Sequence, residues 1–170
     1  MTPRTLFCAS VVLLSGCAAH PSPSLTTADN SFIMQAASGG MAEVALGEMA
    51  QQKSTDPSIR QFAAQMVADH TPADKELMAI AAKKNVVPPS SPDAARSAVA
   101  TQLSALSGTA FDQQYLASQR QDHELQIKLY TDEAQTGTDP DLRAFAAKSL
   151  PNLQHHLSEV QAIMPQSIRG

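Results

Sequence analysis

Two matched segments decide the fold: Asp56-Pro57-Ser58-Ile59-Arg60-Gln61-Phe62-Ala63-Ala64 and Asp139-Pro140-Asp141-Leu142-Arg143-Ala144-Phe145-Ala146-Ala147. Each opens with Asp, whose carboxylate caps the free amides of a first helical turn. Pro follows at the first helical position, where its missing amide hydrogen costs no bond. An aliphatic residue and then a Phe three residues later lie on one helical face. Capping chemistry alone can produce Asp-Pro twice. The matched Arg, Phe and Ala-Ala argue for two similar units, each a helix preceded by another long helical pattern. The repeat therefore reads as two helical hairpins.

Working outward, residues 29–53 and 57–84 form the first hairpin, and residues 110–135 and 140–164 the second. No stretch alternates apolar and polar residues with β-branched enrichment, so the fold class is all-α with no sheet. A Pro/Ser stretch at 87–92 stops the second helix. A shorter helix over 93–106 follows and ends at Gly108. Thr109 with Asp112 resembles a capping box with Asp in place of Glu, marking the start of the third long helix. The link over 85–108 can travel the length of a bundle, so the third helix can start at the end where the second began. That arrangement is a ferritin-like four-helix bundle: two antiparallel hairpins joined by a long crossover containing a short helix. Pro72 and Pro151 fall inside helical patterns, and each removes an internal hydrogen bond and is expected to kink its helix.

The N-terminus reads as an address. Arg4 precedes an apolar run over 6–14, too short to span a bilayer as a mature helix. Leu14-Ser15-Gly16-Cys17 resembles a bacterial lipobox. Residues 1–16 are expected to be a lipoprotein signal peptide, with Cys17 the lipid attachment point. Residues 17–28, rich in Pro and Ser, are expected to be a flexible tether, and residues 29–165 the bundle domain. The alternative is an ordinary signal peptide cut after Ala18 or Ala19. Ala18, rather than Asp, after the cysteine favours the outer membrane, with the domain facing the periplasm of a bacterial envelope. The membrane partner would be reached through acyl chains.

Composition excludes several classes. Of 170 residues, 43% are hydrophobic and net charge is only −4, so the chain is not disordered. Acidic residues outnumber basic ones 16 to 12 and aromatics are 4%, which argues against a nucleic-acid partner. Two cysteines exclude a disulfide scaffold or a cysteine-rich zinc module. No nucleophile elbow or phosphate-cradling glycine loop is present, so no catalytic residue is assigned and a non-enzymatic role is favoured.

The chemistry sits in the core stripes. His70 falls between Met66 and Leu77, His123 between Leu116 and Tyr130, and His156 between Leu153 and Val160. Glu43 falls in a stripe of small residues with Gly40 and Gly47. At the helical rise, Glu43, His70 and His123 lie roughly 20 Å from the end holding the first hairpin loop, and His156 descends to mid-bundle from the other end. Three imidazoles and a carboxylate at one level suit zinc or another divalent first-row metal. The same four can instead form a hydrogen-bonded polar layer that fixes helix packing, in a structural or interaction protein. Asp69, Asp122 and Tyr115 are candidates to orient the ligands from behind. His155 points about 100° away from His156 and suits an ion pair with Glu159, one turn on. A di-iron carboxylate centre fits poorly, because Val67, Arg120 and Leu153 stand where its glutamates would precede the histidines.

The ordered motifs Asn30-Ser31-Phe32, Met66-Val67-Ala68-Asp69-His70-Thr71, Phe111-Asp112-Gln113-Gln114-Tyr115 and Leu150-Pro151-Asn152-Leu153-Gln154-His155-His156-Leu157 resemble the domain-of-unknown-function 4142 family. Its members are often labelled outer-membrane proteins, and it is similar in fold to the ferritin-like superfamily. The resemblance covers residues 29–163. It implies that fold, places the family pattern on Glu43, His70, His123 and His156, and implies no established reaction.

Overall fold

The two Asp-Pro segments open helices as their chemistry dictates. The computed structural model describes residues 25–164, which form α1 (Thr27–Lys53), α2 (Pro57–Lys83), α3 (Ala94–Ser104), α4 (Gly108–Thr136) and α5 (Pro140–Ile163). No strand occurs among the described residues. Asp56 accepts from the amides of Ser58 and Ile59, and Asp139 from those of Asp141 and Leu142. Among the described residues no helix is long and apolar enough to cross a membrane. The expected signal peptide, Cys17 and most of the expected tether lie outside the described residues.

Two helix starts differ from the sequence reading. α1 begins at Thr27 because Thr26 and Asp29 form a capping box: the Thr26 hydroxyl accepts from the Asp29 amide, and the Asp29 carboxylate accepts from the Thr26 amide. Leu25, inside the span read as tether, packs on the core. α4 begins at Gly108 rather than at residue 110 behind a Thr109 cap. Gly108 turns the chain into the helix at φ 56°, a left-handed conformation that favours glycine. Thr109 is thereby inside the first turn, and Ser107 occupies the cap position without a side-chain bond. The Thr109–Asp112 capping box therefore does not form.

Contacts at the helix ends fix the chain directions. At one end the Asp29 carboxylate accepts from the Thr138 amide at 2.9 Å, and Lys84 pairs with Asp139 at 2.6 Å. The start of α1, the end of α2 and the α4–α5 turn therefore meet. At the other end Lys53 donates to the Ser104 carbonyl and lies over the Phe111 ring. α4 thus starts at the end opposite the one where α2 finishes, and the segment carrying α3 runs the length between. α1 packs on α2 and α4, and α5 on α4 and α2. Each of these four contacts is antiparallel.

The apolar core falls into two clusters. Phe32, Leu77, Tyr130, Leu142 and Phe145 belong to the one nearest Asp29. Leu46, Phe62, Met66, Phe111, Leu116 and Val160 belong to the other. On every long helix the polar residue singled out by sequence lies between them. Glycines on α1 serve two purposes. A Cβ on Gly47 would stand 2.9 Å from the Ala63 carbonyl, so α1 and α2 approach closely there. At Gly39 and Gly40 the vacated space is filled instead by the Gln126 amide and the Asp74 carboxylate. Pro72 and Pro151 are exposed and both helices run on through them, so the carbonyls they free lie on the solvent side.

The twin caps are unequal in surroundings. Asp56 is exposed, whereas Asp139 is buried and also receives Lys84. Asp56→Ala is expected to cost about 1 kcal/mol, and Asp139→Ala about 3 kcal/mol because it strands buried donors as well. Urea unfolding of both variants checks the order.

Candidate metal centre

Three long helices each deliver one imidazole to the layer between the apolar clusters. His70 comes from α2, His123 from α4 and His156 from α5. His123 and His156 are 0% exposed and His70 is 8% exposed. Ring centroids are 5.9 Å apart for His70–His123, 5.4 Å for His70–His156 and 5.5 Å for His123–His156. One nitrogen from each ring lies within 4.8 Å of the other two.

Hydrogen bonds set the tautomers. Nδ1 of His123 is 2.8 Å from the Gln119 carbonyl, which can only accept, so Nδ1 carries the proton. Its Nε2 then holds a bare lone pair and has no partner. Nε2 of His156 is 2.9 Å from an Asp69 carboxylate oxygen, so Nε2 donates, and its Nδ1 is buried without a partner. Nε2 of His70 is likewise buried and unpartnered. Burial pushes His70 down to about 3, with its neighbours His123 and His156 adding to the shift. Burial also pushes His123 down to about 4, against the pull of the Gln119 carbonyl. Both rings are neutral at ordinary pH, the form that can ligate a metal.

Glu43 does not join this trio. It is 1% exposed at the same level of the bundle, but its carboxyl lies beside Asp122 and Gln119. Burial, and then the negative charge of Asp122, push Glu43 well above the usual carboxylate range, so it is protonated and can donate to Asp122. Asp122 does not bond His123. It receives Arg96 of α3 at 2.8 Å, and Arg96 in turn holds Asp93 at 2.6 Å. Asp93 also accepts from the Ser38 hydroxyl on α1. A polar seam thus docks the crossover helix onto α1 and α4. Nothing in the spacing of the long helices marks Arg96 as its centre.

The remaining candidates divide. Asp69 orients a histidine, but it reaches across to His156 on α5 rather than serving its neighbour His70. Tyr115 stacks on Phe111 with centroids 6.0 Å apart, and its hydroxyl is buried without a partner. Phe62 stands edge-on to both Tyr115 and His156. His155 is exposed and lies 3.5 Å from Glu159, as its offset from His156 implied.

The depressed histidines predict a pH dependence for the metal-free protein. Below about pH 6.5 the unfolded chain protonates these rings while the folded chain does not, so their contribution is lost as pH falls. Buried Glu133, raised to about 7 by burial and by Asp29, acts in the opposite direction. The readout is therefore a difference. Between about pH 7.5 and pH 5, a His70→Leu/His123→Leu variant should avoid a stability loss on the order of 2 kcal/mol per histidine, measured by urea unfolding.

No curated protein matches the sequence. Two solved structures share the fold. A DUF305 fragment from Deinococcus radiodurans superposes with a TM-score of 0.73 at 15% identity, over 83% of this chain and 97% of that one. CopM in a silver-bound form superposes with a TM-score of 0.64 at 16% identity, over 79% of this chain and 93% of that one. The family model for a domain of unknown function, DUF4142, matches residues 15–163, and the chain belongs to that family.

Proposed function

We propose that this protein binds a divalent first-row metal ion, zinc or a neighbour of zinc, at His70, His123 and His156. The observation that carries the reading is the meeting of three buried ring nitrogens that have no partner. In the neutral rings the N–H groups of His123 and His156 are already engaged by Gln119 and Asp69, so the one N–H of His70 cannot serve both remaining nitrogens, whereas a cation can take a lone pair from all three rings. Imidazole donors suit zinc, copper, iron and nickel, and three protein ligands leave a coordination position open. Asp69 behind His156 is the carboxylate–histidine pairing that orients metal ligands and raises their basicity. The silver-bound form of CopM, a protein of similar fold, is compatible with this reading.

The wider setting is part of the same proposal. Antiparallel contacts between the long helices, with a crossover carrying α3, support a ferritin-like bundle. The lipobox-like segment at Cys17 supports an acylated lipoprotein of a bacterial envelope, held in the outer membrane and facing the periplasm. The ligand would be the metal itself, with no catalytic role assigned to any residue.

The test is metal content of the untagged protein by mass spectrometry. Near-stoichiometric metal is expected, lost in His70→Ala and in His156→Ala. Asp69→Asn is expected to weaken binding by about 10- to 100-fold, since it keeps the shape but removes the charge behind His156. A folded protein that takes up no zinc, iron, copper or manganese would leave the histidines as a layer that only sets helix packing.

A further inference from the structure

The three histidines differ in how solvent reaches them. His123 and His156 are sealed, but His70 lines a cavity of about 280 Å³ between α2 and α5. Those two helices share the sparsest of the four interfaces between long helices. Asp69, Ala73 and Glu76 of α2 form one wall, and Lys148 and Asn152 of α5 the other. Asp69 is half-buried and touches the cavity on one side and His156 on the other. Across the mouth, Lys148 pairs with Glu76 at 2.7 Å, with side chains 68% and 41% exposed. An ion pair this exposed is worth at most about 1 kcal/mol, so it opens readily.

The opposite face is unlike it. There a cavity of about 190 Å³ lies between α1, α3 and α4, lined by Glu43, Asp122 and Arg96 but by no histidine. There Arg96 ties up both Asp93 and Asp122, so the carboxylates of that face are already engaged by a half-buried guanidinium rather than by an exposed lysine.

We infer that a metal ion enters and leaves the three-histidine centre through the α2–α5 cavity. His70 is its first nitrogen ligand, and the Asp69 and Glu76 carboxylates draw it in. The inference rests on the metal-binding reading above. The Glu76–Lys148 pair holds one of those carboxylates back from an incoming ion, and Lys148 adds a repelling charge at the mouth. Blocking the cavity therefore changes how fast metal arrives and departs, without changing the ligands that hold it.

Stopped-flow mixing with cobalt(II), followed by its visible absorption in the imidazole site, tests this. Ala73→Phe is expected to slow association by about 10-fold or more and dissociation in parallel, leaving the Kd within about threefold. Lys148→Ala is expected to speed association about 2- to 5-fold at low salt, a gain that disappears in high salt. Val99→Phe, which fills the opposite cavity, should load at the wild-type rate. If Ala73→Phe does not fold, the exposed Lys148 position decides the question alone. Variants that bind cobalt with wild-type affinity and wild-type rates would overturn the route while leaving the metal reading intact. Slowing by Val99→Phe instead would move the route to the other face. Absence of cobalt binding in the wild type would overturn both.

Discussion

A layer of buried imidazoles between two apolar clusters is the constraint on which the rest of the structure depends. Burial penalises an ionised ring there, and it holds His70 and His123 in the neutral form. Neutral rings in turn need one donor and one acceptor apiece. The Gln119 carbonyl and the Asp69 carboxylate settle the donor side for His123 and His156. One buried nitrogen on each of the three rings is left without a partner. Three helices must then hold a common height, and the helix caps at the bundle ends provide it. Asp29 and Asp139 bind the ends of α1, α2, α4 and α5 into one polar junction, which fixes where each helix begins relative to its neighbours.

The second polar feature solves a different problem. A crossover helix contributes little apolar area, with Leu103 its one buried residue among those described. Charge and hydrogen bonds do the docking instead: Arg96 holds Asp122 on α4, and Asp93 holds Ser38 on α1. Glu43 lies beneath this seam, held protonated first by burial and then by the negative charge of Asp122. The glycines of α1 make the seam possible, since Gln126 lies where a Cβ on Gly39 would be. One side of the bundle is thus closed by a tied helix. The α2–α5 side has no such helix over it, and an exposed ion pair crosses the mouth of its cavity.

Architecture and chemistry are transmitted at different fidelity. At 15% and 16% identity the similar structures carry the helical fold and nothing about individual side chains. The histidine layer therefore stands on this chain's own geometry. Family membership does not add a reaction, since the family is itself defined as a domain of unknown function.

Much of the molecule was legible in the sequence because helices are local. The Asp-Pro caps, the apolar stripes and the 1.5 Å rise placed α2 and α5 correctly and set His70, His123 and His156 at one level. The start of α4 was misread because Gly108, by adopting positive φ, bypassed the Thr109 cap. The helix read from about residue 29 starts at Thr27, because Asp29 is the acidic partner of the Thr26 cap. Stripe and height assign a residue to a layer, but not the direction in which its side chain reaches within that layer. Only tertiary structure decided that Glu43 turns to Asp122 rather than to the histidines, and that Asp69 serves His156 rather than His70. Arg96 and Asp69 each act across a helix interface, and such contacts leave no periodic trace along the chain. Heights follow from hydrogen bonds a few residues apart, whereas partners follow from how whole helices pack.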